Sequence, residues 1–216
     1  MLIRSKTLRS VRLVRLLNPP PVTSVDVRAF WDYMCARHNV GVIRKSDSAS
    51  MKVVAELLDR MGVLARESFL LAHTTVVPIR PVRGIYAPFE PGVPDERWSL
   101  WSQIEVCTHE MNHMVQAERA GRWDFSWDYI TSSAARAHYE AGAYRCNLEL
   151  ALRYRGRVLN CGTLAYKLVN YGCSNLDCET TEKQLLMTLP AIRKGAMIEP
   201  ATREAVGWLD ERFGLG

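Results

Sequence analysis

The 216-residue chain lacks any long uninterrupted apolar run, although 48% of its residues are hydrophobic. A helix that crosses a membrane needs about 20 consecutive apolar residues, so the sequence predicts no transmembrane segment. Residues 2–17 also lack the continuous apolar centre of a secretory signal, because five basic residues interrupt them. We therefore expect a cytoplasmic or virion-associated protein.

Acidic residues are absent from residues 1–22, although the whole chain has 23 of them. This segment carries five basic side chains, ends near the run Pro19-Pro20-Pro21 and accounts for the net charge of +5. We divide the chain into a basic N-terminal arm, residues 1–22, and a single domain, residues 23–216. Such an arm can direct a protein to an organelle, bind nucleic acid or anionic lipid, dock on subunits of a larger assembly, or simply extend over the surface.

Six cysteines are present, but their spacing is not typical of a structural zinc site. Without a secretory signal, reduced and mostly buried thiols are the expected state. Two pairs are candidates for a disulfide if the protein works outside a reducing compartment. Cys173 and Cys178 share a short loop, and Cys107 and Cys146 lie in two predicted neighbouring helices.

Histidine is also scarce, yet two of the five histidines occur in the sequence His109-Glu110-Met111-Asn112-His113. On a helix these two residues lie one turn apart on one face, so both imidazoles can reach the same metal ion. Glu110 would then act as a general base that takes a proton from the attacking water and passes it to a leaving amine. This H-E-x-x-H pattern predicts a catalytic zinc site, and the alternative is an ordinary pair of histidines on an amphipathic helix.

The residues around this pattern predict a long helix over residues 98–118, because the stretch contains neither Pro nor Gly. Gly121 is expected to end it. Its apolar residues recur at helical spacing and form a stripe that faces the core: Trp101, Ile104, Met111 and Val115. The histidine pair is therefore expected on a long, partly buried helix.

A catalytic zinc site has three protein ligands and one open position, and we predict that the next helix, residues 133–154, supplies the third ligand. Glu140 and His138 lie about 200° apart around that helix, so only one of them can face the metal. Ala137 and Ala143 flank Glu140 and would allow a close approach of the two helices. We therefore favour Glu140 and keep His138 as the alternative.

The pattern H-E-x-x-H-x-x-Q from His109, followed by Y-E-x-x-A from Tyr139, resembles the gluzincin metallopeptidases, particularly bacterial and phage-borne zincin-like domains. The resemblance covers residues 79–152. It implies a zincin-like fold, Zn²⁺ held by His109, His113 and Glu140, Glu110 as the base, and a peptide or protein as substrate.

Related families differ from this chain in ways that limit the comparison. The N-E-x-x-S-D block of thermolysin-like enzymes is absent, so their substrate preferences are not implied. The metzincin continuation is absent as well, because Gln116 and Arg119 stand where Gly and His are required. If His138 were the third ligand, the chain would instead resemble the nuclear zincins that act on DNA-bound proteins.

The expected fold class is α+β, mostly helical, with a small sheet packed beside the metal-binding helix. Residues 24–38 and 48–61 are predicted helices, the second with an apolar face of Val54, Leu57, Leu58 and Met61. Residues 69–79 and 83–87 are predicted strands. Helices at residues 163–171, 181–189 and 202–213 are expected to close the second side of the cleft.

In zincin-like folds an edge strand upstream of the metal-binding helix pairs with extended substrate. The candidate here is Gly84-Ile85-Tyr86-Ala87-Pro88, where main-chain pairing would bind a peptide. The alternative is an ordinary strand without contact to substrate.

The segment between the two predicted metal-binding helices is interpreted as an aromatic loop that contains Trp123, Asp124, Phe125, Trp127, Asp128 and Tyr129. Its aromatic side chains can form a wall of a substrate cleft or a hydrophobic cap, and either Asp can accept the second N–H of a metal-binding imidazole. Tyr129 and Tyr139 are candidates to stabilise the oxyanion formed by attack on a carbonyl. Gln116 is expected to hydrogen-bond near the site rather than to bind the metal.

The function that these features favour is a zinc-dependent hydrolase, a metallopeptidase that cleaves peptide bonds with a Glu general base. The alternative is a non-catalytic structural or assembly subunit, for example of a phage particle, on a zincin-like scaffold. Nucleic-acid binding through the arm comes last, because nothing in residues 23–216 resembles a nucleic-acid module.

Overall fold

The computed structural model describes residues 20–60, 65–72 and 74–215. Most of the basic arm, residues 1–19, lies outside the described residues, and the predictions made for it stay predictions. The α-helices are α1 (Ser24–Arg37), α2 (Ala49–Arg60), α3 (Arg66–Ala72), α4 (Leu100–Ala120), α5 (Arg122–Thr131), α6 (Ser133–Arg155), α7 (Cys161–Tyr166), α8 (Asn175–Arg193) and α9 (Pro200–Phe213). The strands are β1 (Val42–Arg44), β2 (Thr75–Val77) and β3 (Gly84–Ala87), and 3-10 turns span Lys45–Asp47 and Lys167–Tyr171.

The predicted α+β class with a small sheet is confirmed, and the two longest helices lie close to their predicted positions. The side chain of Ser99 caps α4 by accepting the N–H of Ser102, and Gly121 ends it with a φ of 93° that favours glycine. The side chain of Ser132 caps α6 in the same way, and Gly156 ends it in the left-handed region. These caps fix the ends of the two helices that carry the candidate site.

The three strands form one sheet in the order β1-β3-β2, and β2 packs against α4. β3 is parallel to β1, with Val42 opposite Ile85, and antiparallel to β2, with Val76 opposite Ile85. Because both edges of β3 are paired, the prediction that residues 84–88 form an edge strand for substrate is wrong. All four residues of β3 are buried, and β3 is the central strand of the sheet.

Two further predictions from local sequence are wrong. Residues 69–79 are not one strand, because α3 extends to Ala72 and only Thr75–Val77 are extended. Leu and Ala favour a helix, and the β-branched residues begin only after it. The apolar face predicted for α2 is wrong at Val54 and Leu57, which are exposed, whereas Met51 and Ala55 pack against Phe69 and Tyr86. The side chain of Leu58 and residue Met61, also predicted for this face, lie outside the described part of the chain.

Helix α6 lies between two hydrophobic clusters and contributes to both. Its residues Cys146, Leu150 and Tyr154 pack with side chains of α1, α4, α9 and β3. On another face, Tyr144 and Leu148 pack with α7 and α8. The helix is therefore held on two sides, which fixes the direction in which its polar residues point.

All six cysteines are free thiols, and five of them are buried, with Cys35 half-buried. The candidate pairs Cys107 with Cys146 and Cys173 with Cys178 are not bonded in this structure. Within the described ranges, no helix combines the length and the apolar character needed to cross a membrane.

Candidate metal centre

The structure brings His109 and His113 of α4 together with Glu140 of α6. Nε2 of His109 lies 3.3 Å from Oε2 of Glu140, and Nε2 of His113 lies 3.3 Å from Oε1 of the same carboxylate. All candidate ligand atoms of the three residues lie within 4.8 Å of one another. His113 and Glu140 are buried and His109 is nearly so, and the three could therefore hold a metal ion in a site shielded from solvent.

The two distances between imidazole nitrogens and Glu140 are compatible with a bound metal ion, and each nitrogen lies near a different oxygen of the carboxylate. Ligand bonds of 2.0–2.1 Å in a tetrahedron place neighbouring ligand atoms about 3.3 Å apart, which is the separation between each imidazole nitrogen and the carboxylate. Oε2 of Glu140 is buried and has no hydrogen-bond partner among the described residues. A cation between the three side chains would satisfy that oxygen.

Two amide side chains orient the imidazoles. Oδ1 of Asn147 lies 2.9 Å from Nδ1 of His109, and Oε1 of Gln116 lies 2.8 Å from Nδ1 of His113. The amide nitrogens donate to backbone carbonyls of Glu105 and Tyr139, so the amide oxygens are left to accept from the imidazoles. Each imidazole therefore donates from Nδ1 and directs Nε2 at the carboxylate, which is the arrangement that metal-binding histidines adopt.

These amides correct two predictions about the site. The N–H acceptors were expected to be Asp124 or Asp128, but both carboxylates are exposed and Asn147 and Gln116 take the role instead. Gln116 hydrogen-bonds beside the metal-binding group, as predicted. Nothing in the spacing of the sequence indicates Asn147, because its partner His109 lies on another helix.

The alternative ligand, His138, is exposed on α6 and is not part of the group. Its ring lies 5.9 Å from that of Tyr139. Tyr139 itself packs against Phe125, and its carbonyl accepts the amide of Gln116. The structure therefore brings Glu140 rather than His138 to the two histidines, and it gives Tyr139 a supporting position.

The predicted aromatic loop is a helix, α5, and its aromatic residues face two ways. Trp123 and Trp127 are about 70% exposed, so they do not line a cleft. Phe125 and Tyr129 point inward, with ring centroids 6.2 and 6.0 Å from the ring of His113. The hydroxyl of Tyr129 donates to Oε1 of Glu140 at 2.5 Å. This contact makes Tyr129 a support of the carboxylate.

Burial and neighbouring charges shift the pKa values of Glu140 and His113 in opposite directions. Burial raises the pKa of Glu140, but the two histidines outweigh it and hold the pKa well below its usual value. Burial lowers the pKa of His113, but the neighbouring Glu140 outweighs it and raises the pKa to about 9. In the metal-free protein, the carboxylate is therefore ionised and positive charge is favoured beside it.

Glu110, the candidate base, is buried and lines the cleft next to His109. Burial raises its pKa above the usual value, Glu140 adds to the shift, and the histidines and Lys45 oppose it. Lys45 is completely buried and donates to the Phe69 carbonyl and the Thr75 hydroxyl. Burial lowers the pKa of Lys45 to about 7. No pattern in the sequence indicates this buried lysine.

An open cleft of about 550 Å³ lies in front of His109 and Glu110. Tyr144 and Asn147 of α6 line it beside them, and the opposite wall runs along the segment Asn160–Tyr171. The prediction that helices after α6 close the cleft is confirmed for α7 and its 3-10 extension. Among the described residues, those lining this cleft include none from α8 or α9.

Comparison of the chain with protein-family models, with curated proteins and with solved structures finds no match.

Proposed function

We propose that this protein is a zinc-dependent hydrolase, specifically a metallopeptidase with a gluzincin-like site on a zincin-like fold. The observation that carries the proposal is the position of Glu140, whose two oxygens each lie 3.3 Å from Nε2 of a histidine of the H-E-x-x-H helix. Two imidazoles and one carboxylate are a ligand set typical of catalytic zinc. An open cleft lined by His109 and Glu110 gives a substrate access to this side of the group.

The bound zinc would polarise the carbonyl of the substrate and make water a better nucleophile. Glu110 would take the proton of the attacking water and deliver it to the leaving amine, so that water is added across the peptide bond. Its raised pKa suits this exchange, because a base that must also act as an acid works best when its pKa lies nearer to the working pH.

The surrounding residues would keep the metal-binding side chains in place. Asn147 and Gln116 fix the imidazole orientations, and Tyr129 fixes the carboxylate. Because these groups are held before substrate binds, little reorganisation would be needed during the reaction.

The test compares the metal content of the purified protein with that of three variants, using elemental mass spectrometry, together with cleavage of a peptide mixture. The wild type should hold about one zinc per chain. Glu110→Gln should keep the zinc and lose turnover, whereas Glu140→Gln should lose most of the zinc. His138→Gln is the matched control and should keep both the zinc content and the peptide cleavage of the wild type. Peptide cleavage by Glu110→Gln would overturn the mechanism, and full zinc content in Glu140→Gln would overturn the ligand assignment.

An assembly subunit is the second candidate, and an exposed surface favours it. Trp123, Trp127 and Ile130 lie at helical spacing on one face of α5 and are each at least 70% exposed. A contiguous apolar surface of this kind is typical of protein interfaces. The assembly role predicts self-association or incorporation into a larger particle that Glu110→Gln leaves unchanged, which sedimentation velocity would measure.

A further inference from the structure

The two walls of the cleft differ in chemical character. The lining residues from α4 and α6 include His109 of the metal-binding group and the candidate base Glu110, with Val106 and Tyr144 beside them. The facing wall, made by the segment Arg157–Tyr171, presents mainly polar groups, which are the side chains of Arg157, Asn160, Thr163, Lys167 and Asn170. A substrate bound in the cleft therefore meets hydrogen-bond donors in addition to His109 and Glu110.

Positive charge on the facing wall is not neutralised by neighbouring residues. Arg157 and Lys167 both line the cleft and are exposed, and neither has a carboxylate within 4 Å in the described part of the chain. The cleft also contains the carboxylate of Glu105, but Arg155 outside the cleft already binds it at 3.0 Å. The cations of the facing wall are therefore available to a ligand.

The position of Arg157 follows from how α6 ends. Gly156 adopts the left-handed conformation, and the backbone N–H of Arg157 bonds back to the carbonyl of Ala151. Lys167 begins the 3-10 turn Lys167–Tyr171 directly after α7, and its own N–H bonds to the helix. The backbone of each residue is therefore held by a hydrogen bond to a helix. This favours a defined position for a ligand that contacts both side chains.

We propose that Arg157 and Lys167 form a subsite for a carboxylate of the substrate, so that the cleft selects peptides carrying a negative charge. This inference rests on the proposed peptidase function and specifies its substrate class. Guanidinium and ammonium groups form charge-assisted hydrogen bonds with carboxylates, and their combined field attracts anionic ligands into a cleft. The carboxylate can belong to an acidic side chain or to the C-terminus of the peptide, since the chemistry is the same.

The test uses the full-length zinc-loaded protein and four synthetic peptide pools. Two pools differ only in glutamate against glutamine at one position, and two differ only in a free against an amidated C-terminus. We expect kcat/KM to be about tenfold higher for a charged pool than for its neutral counterpart, mainly through KM. The pair of pools that shows the difference identifies the source of the carboxylate.

The variants Arg157→Gln and Lys167→Gln, alone and combined, test which residues carry the preference. The double variant should bring the ratio of kcat/KM between charged and neutral pools close to one. Lys183→Gln is the matched control, because Lys183 is exposed on α8 and does not line the cleft. A wild-type ratio of one for both pairs of pools, or a preference that survives in the double variant, would overturn the proposal.

A binding measurement separates this proposal from the proposed activity. Fluorescence anisotropy with labelled pools and zinc-loaded Glu110→Gln reports on the subsite without turnover. Tighter binding of a charged pool, abolished in the Arg157→Gln, Lys167→Gln background, would support the subsite even if the wild type cleaved nothing. Equal binding of charged and neutral pools would overturn it even if the wild type were an active peptidase.

Discussion

The hydroxyl of Tyr129 donates to Glu140 inside the candidate metal centre. Two roles are open to this residue. It can hold the carboxylate in the orientation that the metal needs, or it can stabilise the oxyanion of the substrate, as its residue type alone suggests. The observed hydrogen bond favours the first role, because a phenol that donates to Glu140 cannot donate its one proton to the substrate at the same time.

Replacing Tyr129 by Phe removes this hydrogen bond and keeps the ring. We expect zinc affinity to fall about tenfold, a loss typical of an outer-shell partner, while kcat of the zinc-loaded variant changes little. Competition with a chromophoric chelator measures the affinity. Tyr139→Phe is the control and should keep wild-type affinity. A large loss of kcat at unchanged affinity in Tyr129→Phe would instead assign the oxyanion role.

At this scale, sequence spacing predicts some of the site residues and not others. Helix geometry relates His109 to His113 because both lie on one helix, and it allows only one of Glu140 and His138 to face the metal. The choice between these two depends on how α6 packs against α4, which spacing does not determine. Asn147 and Lys45 are not predicted at all, since each contacts its partner across elements.

The close approach of α4 and α6 depends on Gly142. A Cβ at this position would lie 2.5 Å from Nε2 of Gln116 and 3.3 Å from Nδ2 of Asn112. Gln116 cannot move without cost, because its amide bonds to His113 and to the carbonyl of Tyr139. A methyl group at Gly142 would therefore disturb the support of the metal-binding group.

Gly142→Ala and Gly207→Ala form a matched pair of helical substitutions. At Gly207 of α9 an added Cβ meets nothing within 4 Å, so alanine should stabilise the protein by about 0.5–1 kcal/mol. At Gly142 alanine should stabilise the helix by the same amount, but the loss of the Gln116 hydrogen bonds should destabilise the protein by about 1–3 kcal/mol. We expect Gly142→Ala to be at least about 1 kcal/mol less stable than Gly207→Ala in urea denaturation. Equal stability would show that Gln116 relaxes freely.

Glu149 joins α6 to the start of α9. Its Oε1 accepts the backbone N–H of Ile198 at 2.6 Å, and burial raises the pKa of this carboxyl to about 7. A carboxyl with a raised folded pKa favours folding below its unfolded pKa of about 4.3 and loses that contribution as pH rises through 7. The packing of α6 on α9 is thus expected to weaken between pH 5 and pH 8.

Glu149→Gln keeps an acceptor for Ile198 and cannot ionise. Urea denaturation measures the free energy of unfolding of both proteins. Relative to the wild type, the value for the variant should rise by up to about 3 kcal/mol between pH 5 and pH 8, since one pKa unit corresponds to about 1.4 kcal/mol. Glu211→Gln, at an exposed position of α9, controls for the loss of one carboxylate. The same pH dependence in wild type and Glu149→Gln would contradict the assignment.

Among the elements, the long helices and the position of β3 were predictable, whereas β1 was not predicted and β2 was predicted too long. The lack of Pro and Gly between residues 98 and 118 specifies α4 without reference to the rest of the chain. The strands are only three or four residues long, so the alternation of apolar and polar residues in their sequences is too short to define where a strand begins and ends. Whether β3 is an edge strand or the central strand depends on its pairing with β1, which comes much earlier in the sequence.

For the whole molecule, α6 is the element that links the two main hydrophobic clusters. A metal ion held by His109, His113 and Glu140 would add a bond between α6 and α4. Because an ion that binds the folded state shifts the unfolding equilibrium, zinc should stabilise the entire protein rather than the site alone.

Thermal unfolding with and without zinc tests this coupling. At a free zinc concentration about 100 times Kd, the stabilisation is about 2.7 kcal/mol, which raises Tm by roughly 5–10 °C for a chain of this size. A chelator should reverse the shift, and Glu140→Gln should abolish most of it. An equal shift in Glu140→Gln would indicate that zinc binds elsewhere, for example at the free thiols.

The proposed metal-binding residues and the amides that orient them all lie between His109 and Asn147, on α4 and α6. The facing wall of the cleft and the sheet come from segments outside this stretch. Contacts between neighbouring helices form early, because short loops close with little loss of entropy. The metal-binding group therefore belongs to a piece of chain that can assemble before the cleft does. The proposed ligands and the residues proposed to select a substrate therefore lie in different segments of the chain.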